Sequence, residues 1–197
     1  FLDYIPNIID LAEQRCYRDL DLLSTVVRDT SASCTANSRE FTLPSLSGRI
    51  VVPNGINIVT PFGSTVSTGT RHRLTQLSMD AMDYMWPSNT AASATTVPTN
   101  FAMVTDQTIL FGPPPGAAFQ VEVIGTIRPT PLSPTNTTTY LTLYLPDLFF
   151  AASMVAVAGY QRDFGSQADD PKLAVSWEGE YGKFLASAQM EEQRKRF

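Results

Sequence analysis

The spacing of apolar positions changes along this chain and divides it into helical and strand-like stretches. Over residues 5–20 the apolar positions recur every three or four residues, which predicts an amphipathic helix, and Pro6 suits its first turn. Residues 23–77 instead contain short runs of Val, Ile and Thr interrupted by Ser, Asn, Gly and Pro, which is typical of strands. Within them, the pair Asn54-Gly55 predicts a hairpin between residues 50–52 and 56–60.

A second group of strands follows a short helix and a polar loop. Residues 79–86 are predicted to form a helix that is capped by Ser78 and ends at Pro87. Residues 88–100 are rich in Ser, Thr and Ala, so we expect a long, mobile loop. Three strands are then predicted at residues 101–105, 108–112 and 118–127. In the last of them Phe119, Val121 and Val123 alternate with polar residues and supply one core face of an antiparallel sheet.

The most apolar segment lies in the last third of the chain. No charged residue occurs between residues 148 and 160, so a helix predicted over residues 146–164 would be apolar on every side and should be buried all round. A membrane span needs about 20 apolar residues, and Pro146 and Asp147 stand where a longer span would begin. The pattern therefore favours a core or interface helix and predicts no membrane association.

A final helix is predicted to start at Pro171, behind the cap candidates Asp169 and Asp170. One stripe of this helix is apolar and includes Trp177 and Tyr181. At its far end two ion pairs with i,i+4 spacing are predicted, namely Glu191 with Lys195 and Glu192 with Arg196.

These elements predict an α+β fold in which the terminal helices pack together and carry the strands as an insertion. The predicted helical core comprises residues 1–22 and 139–197. The predicted β-rich insertion comprises residues 23–138, and its strands form an antiparallel sheet.

Composition and candidate chemistry narrow the function classes. The chain carries a formal charge of −5 and has no stripe of interleaved basic and aromatic residues, so it is not typical of nucleic-acid binders. Cys16 and Cys34 have neither metal-ligand spacing nor the density of a disulfide scaffold, and we expect reduced thiols.

A catalytic or metal site is not indicated either. His72 is the single histidine of the chain, which excludes zinc sites built on several histidines, and we interpret it as a surface strand residue. The pair Asp169-Asp170 could hold a divalent metal, but acidic residues directly before a Pro-initiated helix favour capping. We find no nucleophile with its base and no phosphate-binding glycine loop, and we predict no enzyme, no catalytic residue, no metal and no cofactor.

Four segments of the chain resemble the head-to-tail adaptor proteins of short-tailed bacteriophages (podoviruses), also called connector or tail tubular A-type proteins. They are PNIIDLAEQRCYRDLDL at residues 6–22, TRHRLTQLSMDAMDYMWP at 70–87, FAMVTDQTILFGPPP at 101–115 and YLPDLFFAASMVAVAGYQRDFGSQADDPKLAVSWEGEY at 144–181. The resemblance implies a ring, typically of twelve copies, between the portal of the capsid and the tail nozzle. DNA would pass through its lumen without sequence-specific binding, in a virion particle assembled in the host cytoplasm.

The resemblance also implies site residues. In that family the C-terminal segment commonly reaches the portal, which by position gives the expected contacts Gln189, Glu192, Gln193, Arg194, Lys195, Arg196 and Phe197. Aromatic and apolar residues near the same end are expected to serve the core or contacts between subunits, and they are Phe149, Phe150, Met154, Trp177 and Tyr181.

Two other hypotheses remain open at this point. In the first, the chain is a β-rich, tail-associated binding module, and the loop at residues 88–100 contacts a ligand on the host surface. In the second, it is a hydrolase whose site uses Asp169, Asp170 or His72. An oligomer with purified portal would favour the adaptor, whereas glycan or cell-surface binding would favour the module.

Overall fold

A computed structural model describes residues 2–162 and 171–196 of the chain. It contains five α-helices within these ranges, namely α1 (Ile5–Asp19), α2 (Met79–Met85), α3 (Tyr140–Tyr144), α4 (Pro146–Arg162) and α5 (Pro171–Arg194). The strands in the same ranges are β1 (Val26–Ser33), β2 (Glu40–Thr42), β3 (Ile50–Thr60), β4 (Thr70–Arg73), β5 (Thr75–Gln76), β6 (Asn100–Met103), β7 (Thr108–Gly112) and β8 (Gln120–Ile127). The predicted α+β class is confirmed, and most strand pairs are antiparallel.

The chain divides into two compact units. The helical unit consists of Phe1–Thr25 and Pro129–Phe197, and the β unit consists of Val26–Arg128. Each unit has its own cluster of buried apolar residues.

In the helical unit, α4 packs against both α1 and α5. The amphipathic pattern of α1 is confirmed, because Ile8, Ala12 and Cys16 are buried in a row. Their neighbours in the core include Leu141 of α3, together with Leu148 of α4. The helices thus meet through small and branched side chains that allow close packing.

The prediction that α4 is buried on every side is wrong for the single chain. Leu148, Ala151 and Ala152 are fully buried, but Phe150 keeps 57% of its surface exposed. One side of the helix therefore packs inside the unit, and another side presents an aromatic ring to the surroundings. The predicted end of this helix at residues 164–165 and the caps Asp169 and Asp170 lie outside the described residues.

The β unit contains two four-stranded sheets. The first has the strand order β1-β8-β3-β4 and is antiparallel throughout. The second has the order β2-β7-β6-β5, in which β5 runs parallel to β6, so the expectation of purely antiparallel pairing is wrong there. The core contains the predicted Val121 and Val123, with Phe119, Ile58 and Phe111.

The predicted hairpin at Asn54-Gly55 is wrong. Residues 50–60 form one strand, β3, which pairs with β8 along its whole length and has register shifts between Ile50 and Val52 and between Pro53 and Gly55. Gly125 of β8 lies opposite Pro53, where an added Cβ would come within 2.5 Å of Ile50 Cγ2. A bulge, rather than a turn, thus accommodates the Pro-Asn-Gly sequence, and glycine on the partner strand leaves the space that it needs.

The short helix α2 agrees with its prediction. Ser78 accepts a hydrogen bond from the Ala81 N–H at 3.3 Å, and the helix ends two residues before Pro87. The following segment, predicted as a mobile loop, is joined to the β unit by hydrogen bonds from Gly116 N to Thr96 O and from Thr99 N to Gly112 O. Its mobility stays a prediction.

Candidate functional site

The C-terminal end of α5 is held against α3 and the segment that follows α1 by one buried carboxylate. Glu192 is only 6% exposed, and it accepts hydrogen bonds from the Leu23 N–H at 2.9 Å and from the Tyr140 hydroxyl at 3.4 Å. Lys195 donates to the same carboxylate and to the Tyr140 hydroxyl. Four groups thus meet at one point and fix the last turn of the helix.

The charges at this point stabilise one another. Burial opposes ionisation of Glu192, but the hydrogen bonds from Leu23 N and Lys195 outweigh it, so its pKa is lowered. The hydrogen bond to Glu192, with a further one to Tyr140, raises the pKa of Lys195. Both groups are therefore ionised at neutral pH, and the buried carboxylate pairs with the exposed Lys195 ammonium at the helix end.

The ion pairs at this end differ from the prediction in one case. Glu191 and Lys195 approach to 3.1 Å, as their i,i+4 spacing predicts. Arg196 does not pair with Glu192; instead it lies 2.7 Å from Asp21 Oδ2 and donates to the Asp21 carbonyl oxygen. The Glu192 carboxylate is directed into the unit, where it accepts hydrogen bonds from the Leu23 N–H and the Tyr140 hydroxyl. Arg196 therefore donates to a residue outside α5.

A polar groove of about 380 Å³ separates the ends of α1 and α5. The first wall contains Asp19 and Asp21, and the second contains Gln189, Gln193 and Arg196. With Glu192, which also lines the groove, four of the residues expected at the portal therefore share one concave surface of the helical unit.

The expected portal residues at the end of α5 fall into three groups by their surroundings. Arg194 is exposed at the end of α5, as is Gln193. Glu192 and Lys195 are engaged in hydrogen bonds within the unit, so they orient this end of the helix. Phe197 lies outside the described residues.

A second cluster links the middle of α5 to α1. Arg15 forms a two-pronged ion pair with Glu178, one arm of which measures 2.9 Å, and its guanidinium lies 4.1 Å from the centre of the Tyr181 ring. The Tyr181 hydroxyl donates to Asp19 Oδ2 at 2.7 Å. Burial and this hydrogen bond raise the pKa of Tyr181, while the hydrogen bond to Glu178 raises the pKa of Arg15.

The packing candidates divide between core and surface. Tyr181 is in the core at 2% exposure, and Phe149 packs against the same cluster. Phe150 and Trp177 form an edge-to-face pair with their ring centres 5.7 Å apart, and we call this pair the aromatic patch. Met154, one turn further along α4 than Phe150, is half-buried. The aromatic patch offers apolar surface that the single chain leaves partly uncovered.

Of the candidates for catalysis, His72 lies within the described residues. Nε2 of His72 lies 2.7 Å from the Thr60 hydroxyl on the surface of the β unit. Asp169 and Asp170 lie outside the described residues. Cys16 and Cys34 are buried free thiols, and burial raises their pKa values to about 12 and about 11. Within residues 2–162 and 171–196 no cluster of His, Cys, Asp and Glu has the arrangement of a metal site.

Sequence reasoning missed a charged network in the first sheet. Glu122, assigned from its alternation to the face away from the core, is 1% exposed. It accepts a hydrogen bond from Asn57 at 2.7 Å and lies 3.1 Å from Arg71 and 3.7 Å from Arg28. The partners come from three other strands, and no spacing along the sequence could have joined them.

Comparison with known proteins gives one family. The model of the family described as SU10 adaptor protein matches residues 2–197, which is nearly the whole chain. A search of curated proteins found no match. Among the described helices, none is long and apolar enough to span a membrane.

Proposed function

This chain belongs to the SU10 adaptor protein family, and from that premise we propose that it assembles as a ring between the portal and the tail nozzle of a bacteriophage. Phage adaptors of this kind are structural components of the head–tail region of the virion and associate with other virion components such as the portal and tail. The finer proposal is a ring of twelve copies that forms part of the DNA conduit. Its role is structural and not catalytic.

The observation that carries the ring is the partly uncovered side of α4. The helix is uncharged along residues 148–160, yet Phe150 is 57% exposed in the single chain and the adjacent Trp177 is half-buried. Fully burying an exposed aromatic side chain contributes about 1.5 to 3 kcal/mol, and covering the part of each ring that is still exposed contributes a fraction of that, so an uncovered aromatic patch favours association. In a ring each subunit presents two different faces, and the aromatic patch supplies one of them.

The end of α5 is our proposed portal contact. Gln189, Gln193, Arg194 and Arg196 would face the portal, while Glu192 and Lys195 would hold the helix end in place. A helix end fixed by a buried carboxylate and its hydrogen bonds loses little conformational freedom on binding, which lowers the cost of association.

The proposed conduit requires DNA to pass without adhering. The chain carries a charge of −5, and twelve copies would give the ring a strongly negative total. Negative charge repels phosphates over a Debye length of about 8 Å at physiological salt. We therefore propose that acidic residues line the lumen and that the ring does not bind DNA sequence-specifically.

The experiment is to mix the full chain with purified portal and to record native mass spectra and cryo-EM class averages. A ring of twelve copies bound to the portal supports the proposal. A chain that stays monomeric in the presence of portal, or that binds host-cell glycans instead, refutes it and favours the β-rich binding module.

Two matched substitutions test the role of the aromatic patch. Phe150→Ser should prevent or weaken ring formation, while Tyr84→Ser, at a side chain that is 89% exposed on the β unit, should leave it intact. Equal assembly of both variants would remove the aromatic patch from the interface.

A further inference from the structure

Strand β4 forms an open edge of the first sheet. It pairs with β3 on one side through Thr70, Arg71, His72 and Arg73, and all four residues are exposed. The strand order β1-β8-β3-β4 leaves its other side without a neighbour in that sheet. An open edge of this kind presents backbone N–H and C=O groups that can pair with another strand.

The register shows which backbone groups face outward. Leu74 N donates to Ile56 O at 2.9 Å, so the backbone N–H and C=O groups of Leu74 face β3. Backbone groups alternate in direction along a strand, and His72 and Thr70 therefore also point towards β3. Arg71 and Arg73 point the opposite way. No backbone hydrogen bond joins either of them to another described residue on that side.

The chain itself uses the same side of this strand a little further on. Thr75 N, which points away from β3 like residues 71 and 73, donates to Thr99 O at 3.0 Å, and Leu77 N donates to Phe101 O at 2.8 Å. Pairing with the segment before β6 thus begins at residue 75. At residues 71–73, β4 is no longer paired with the segment before β6. The backbone groups of Arg71 and Arg73 nevertheless face the same side as those of Thr75.

A groove occupies the gap. It encloses about 520 Å³, with residues 71–73 and Thr60 on one side and residues 97–99 on the other. In the wall formed by residues 97–99, Pro98 is buried and Val97 is half-buried. These two residues make that wall largely apolar, and packing fixes their position. The edge of β4 spans about 13 Å for its four residues, which suits a short extended peptide.

The charge around the groove has one sign. Arg71 and Arg73 are the sole Arg, Lys, Asp or Glu residues between positions 51 and 79, and positions 86–105 contain none. The nearby carboxylate of Glu122 is already shared between Arg71 and Arg28. The Arg73 guanidinium donates to the Asn54 carbonyl oxygen at 3.0 Å, a neutral acceptor that leaves the charge of Arg73 uncompensated. The groove is therefore positive on a chain whose net charge is −5. Arg71 and Arg73 lie on the same face of the strand, two residues apart.

We propose that the β4 groove binds an extended segment of a partner protein that carries carboxylates at alternate positions and adds to β4 as a further strand. The backbone of the segment would form hydrogen bonds with the backbone of Arg71 and Arg73. Its carboxylates would lie on the same face of the sheet as the guanidinium groups of these two residues. Arginines on an edge also discourage unspecific pairing. The built second wall at residues 97–99 is what distinguishes a binding groove from a merely protected edge. This inference does not depend on the ring, so either can fail alone.

The test uses the full chain, labelled with ¹⁵N, and the acetylated and amidated peptide Thr-Glu-Val-Glu-Val-Thr. Titration followed by NMR should shift the amide signals of residues 71–73 and 97–99. A peptide with Lys in place of Glu should bind more weakly, because its charge is wrong. A peptide N-methylated at alternate amides, which cannot complete the strand hydrogen bonds, should not bind.

Two variants separate charge from backbone pairing. Arg73→Ala keeps the N–H and should weaken binding about twofold to fivefold, as expected for one exposed charge pair. Arg73→Pro removes an N–H that points away from β3, so the sheet is retained and binding is lost. If Arg73→Pro does not fold, the N-methylated peptide decides the backbone contribution.

Three results would overturn the proposal. The first is equal binding of the acidic, lysine and N-methylated peptides. The second is a set of shifted signals that excludes residues 71–73. The third is a concentration-dependent shift of these same signals without peptide, which would make the occupant a second copy of this chain.

Discussion

The hydroxyl of Tyr181 provides a direct test of how α5 is fastened to α1. The side chain is 2% exposed, and its hydroxyl donates to Asp19 Oδ2 at 2.7 Å. Removing that hydroxyl in Tyr181→Phe deletes a hydrogen bond to a charged acceptor but keeps the ring and its contact with Arg15. Asp19 remains partly exposed and can recruit water, so we expect the free energy of unfolding to fall by about 1 to 2 kcal/mol.

The pH dependence of that loss has a definite sign. Burial and the hydrogen bond to Asp19 raise the pKa of Tyr181 in the folded protein, whereas an unfolded tyrosine titrates near 10. The contribution is therefore complete below pH about 10 and is lost as the pH rises, because the unfolded state then releases a proton that the folded state retains. By about pH 11 the wild-type protein should lose about 1.4 kcal/mol through this one group.

The deficit of Tyr181→Phe relative to wild type should thus shrink by about the same amount between about pH 8 and pH 11. Urea denaturation followed by circular dichroism at each pH measures both proteins. Tyr84→Phe, at a side chain that is 89% exposed, serves as the control and should show no such change. A deficit that stays constant up to pH 11 would refute the reasoning that a buried, neutral hydroxyl donates to Asp19.

Three further substitutions test local contacts by the same denaturation assay. Glu192→Gln should lower the free energy of unfolding by about 1 to 3 kcal/mol at pH 7. The pKa of Glu192 is lowered in the folded protein, so the stability that it contributes is present above the unfolded pKa and is lost in acid. The difference between the variant and wild type should therefore vanish as the pH falls below about 4. Ser78→Ala should cost about 1 kcal/mol, since it removes the cap of α2. Glu122→Gln should cost about 2 kcal/mol, which is less than for a fully buried pair because Arg28 and Arg71 can still reach water.

An exposed neighbour provides the control for Glu192→Gln. Gln193→Ala beside Glu192 should change stability by less than about 0.5 kcal/mol. Acid titration curves of Glu192→Gln and wild type that stay parallel down to pH 3 would contradict the ionised, hydrogen-bonded state of that carboxylate. For Ser78 and Glu122, a variant as stable as wild type would show that the corresponding contact contributes nothing.

Elements with local signals were predictable from the sequence. The spacing of apolar residues identifies α1, and Ser78 with Pro87 brackets α2, because a helix is specified by neighbours within one or two turns. The alternation of Phe119, Val121 and Val123 likewise identifies the core face of β8. In each case the residues that determine the element lie within it or at its ends.

Errors arose where distant partners decide the structure. Asn54-Gly55 has the composition of a turn, but pairing of the flanking residues Pro53 and Gly55 with β8 keeps β3 continuous. Nothing in the strand-like pattern of residues 23–77 indicates that β4 and β5 belong to two different sheets, or that β5 pairs in parallel with β6. Parallel pairing depends on a segment about 25 residues away, which no local pattern reports.

The candidate site shows the same limit at the level of single charges. The i,i+4 rule correctly pairs Glu191 with Lys195, because both lie on the solvent side of α5. The rule fails one residue later, where Glu192 is turned into the unit and bonds to the Leu23 N–H.

The residues that fix the end of α5 are therefore distinct from those left free to meet a partner. A list of portal contacts made from the sequence alone includes both kinds of residue, because both are polar and they are neighbours in the chain. Burial separates them: Glu192 at 6% exposure fixes the end of the helix, and Gln193 and Arg194, which we propose contact the portal, are exposed. Substituting Glu192 should then weaken portal binding through disorder of the helix end, with a loss of stability, whereas Arg194→Ala should weaken binding and leave stability unchanged.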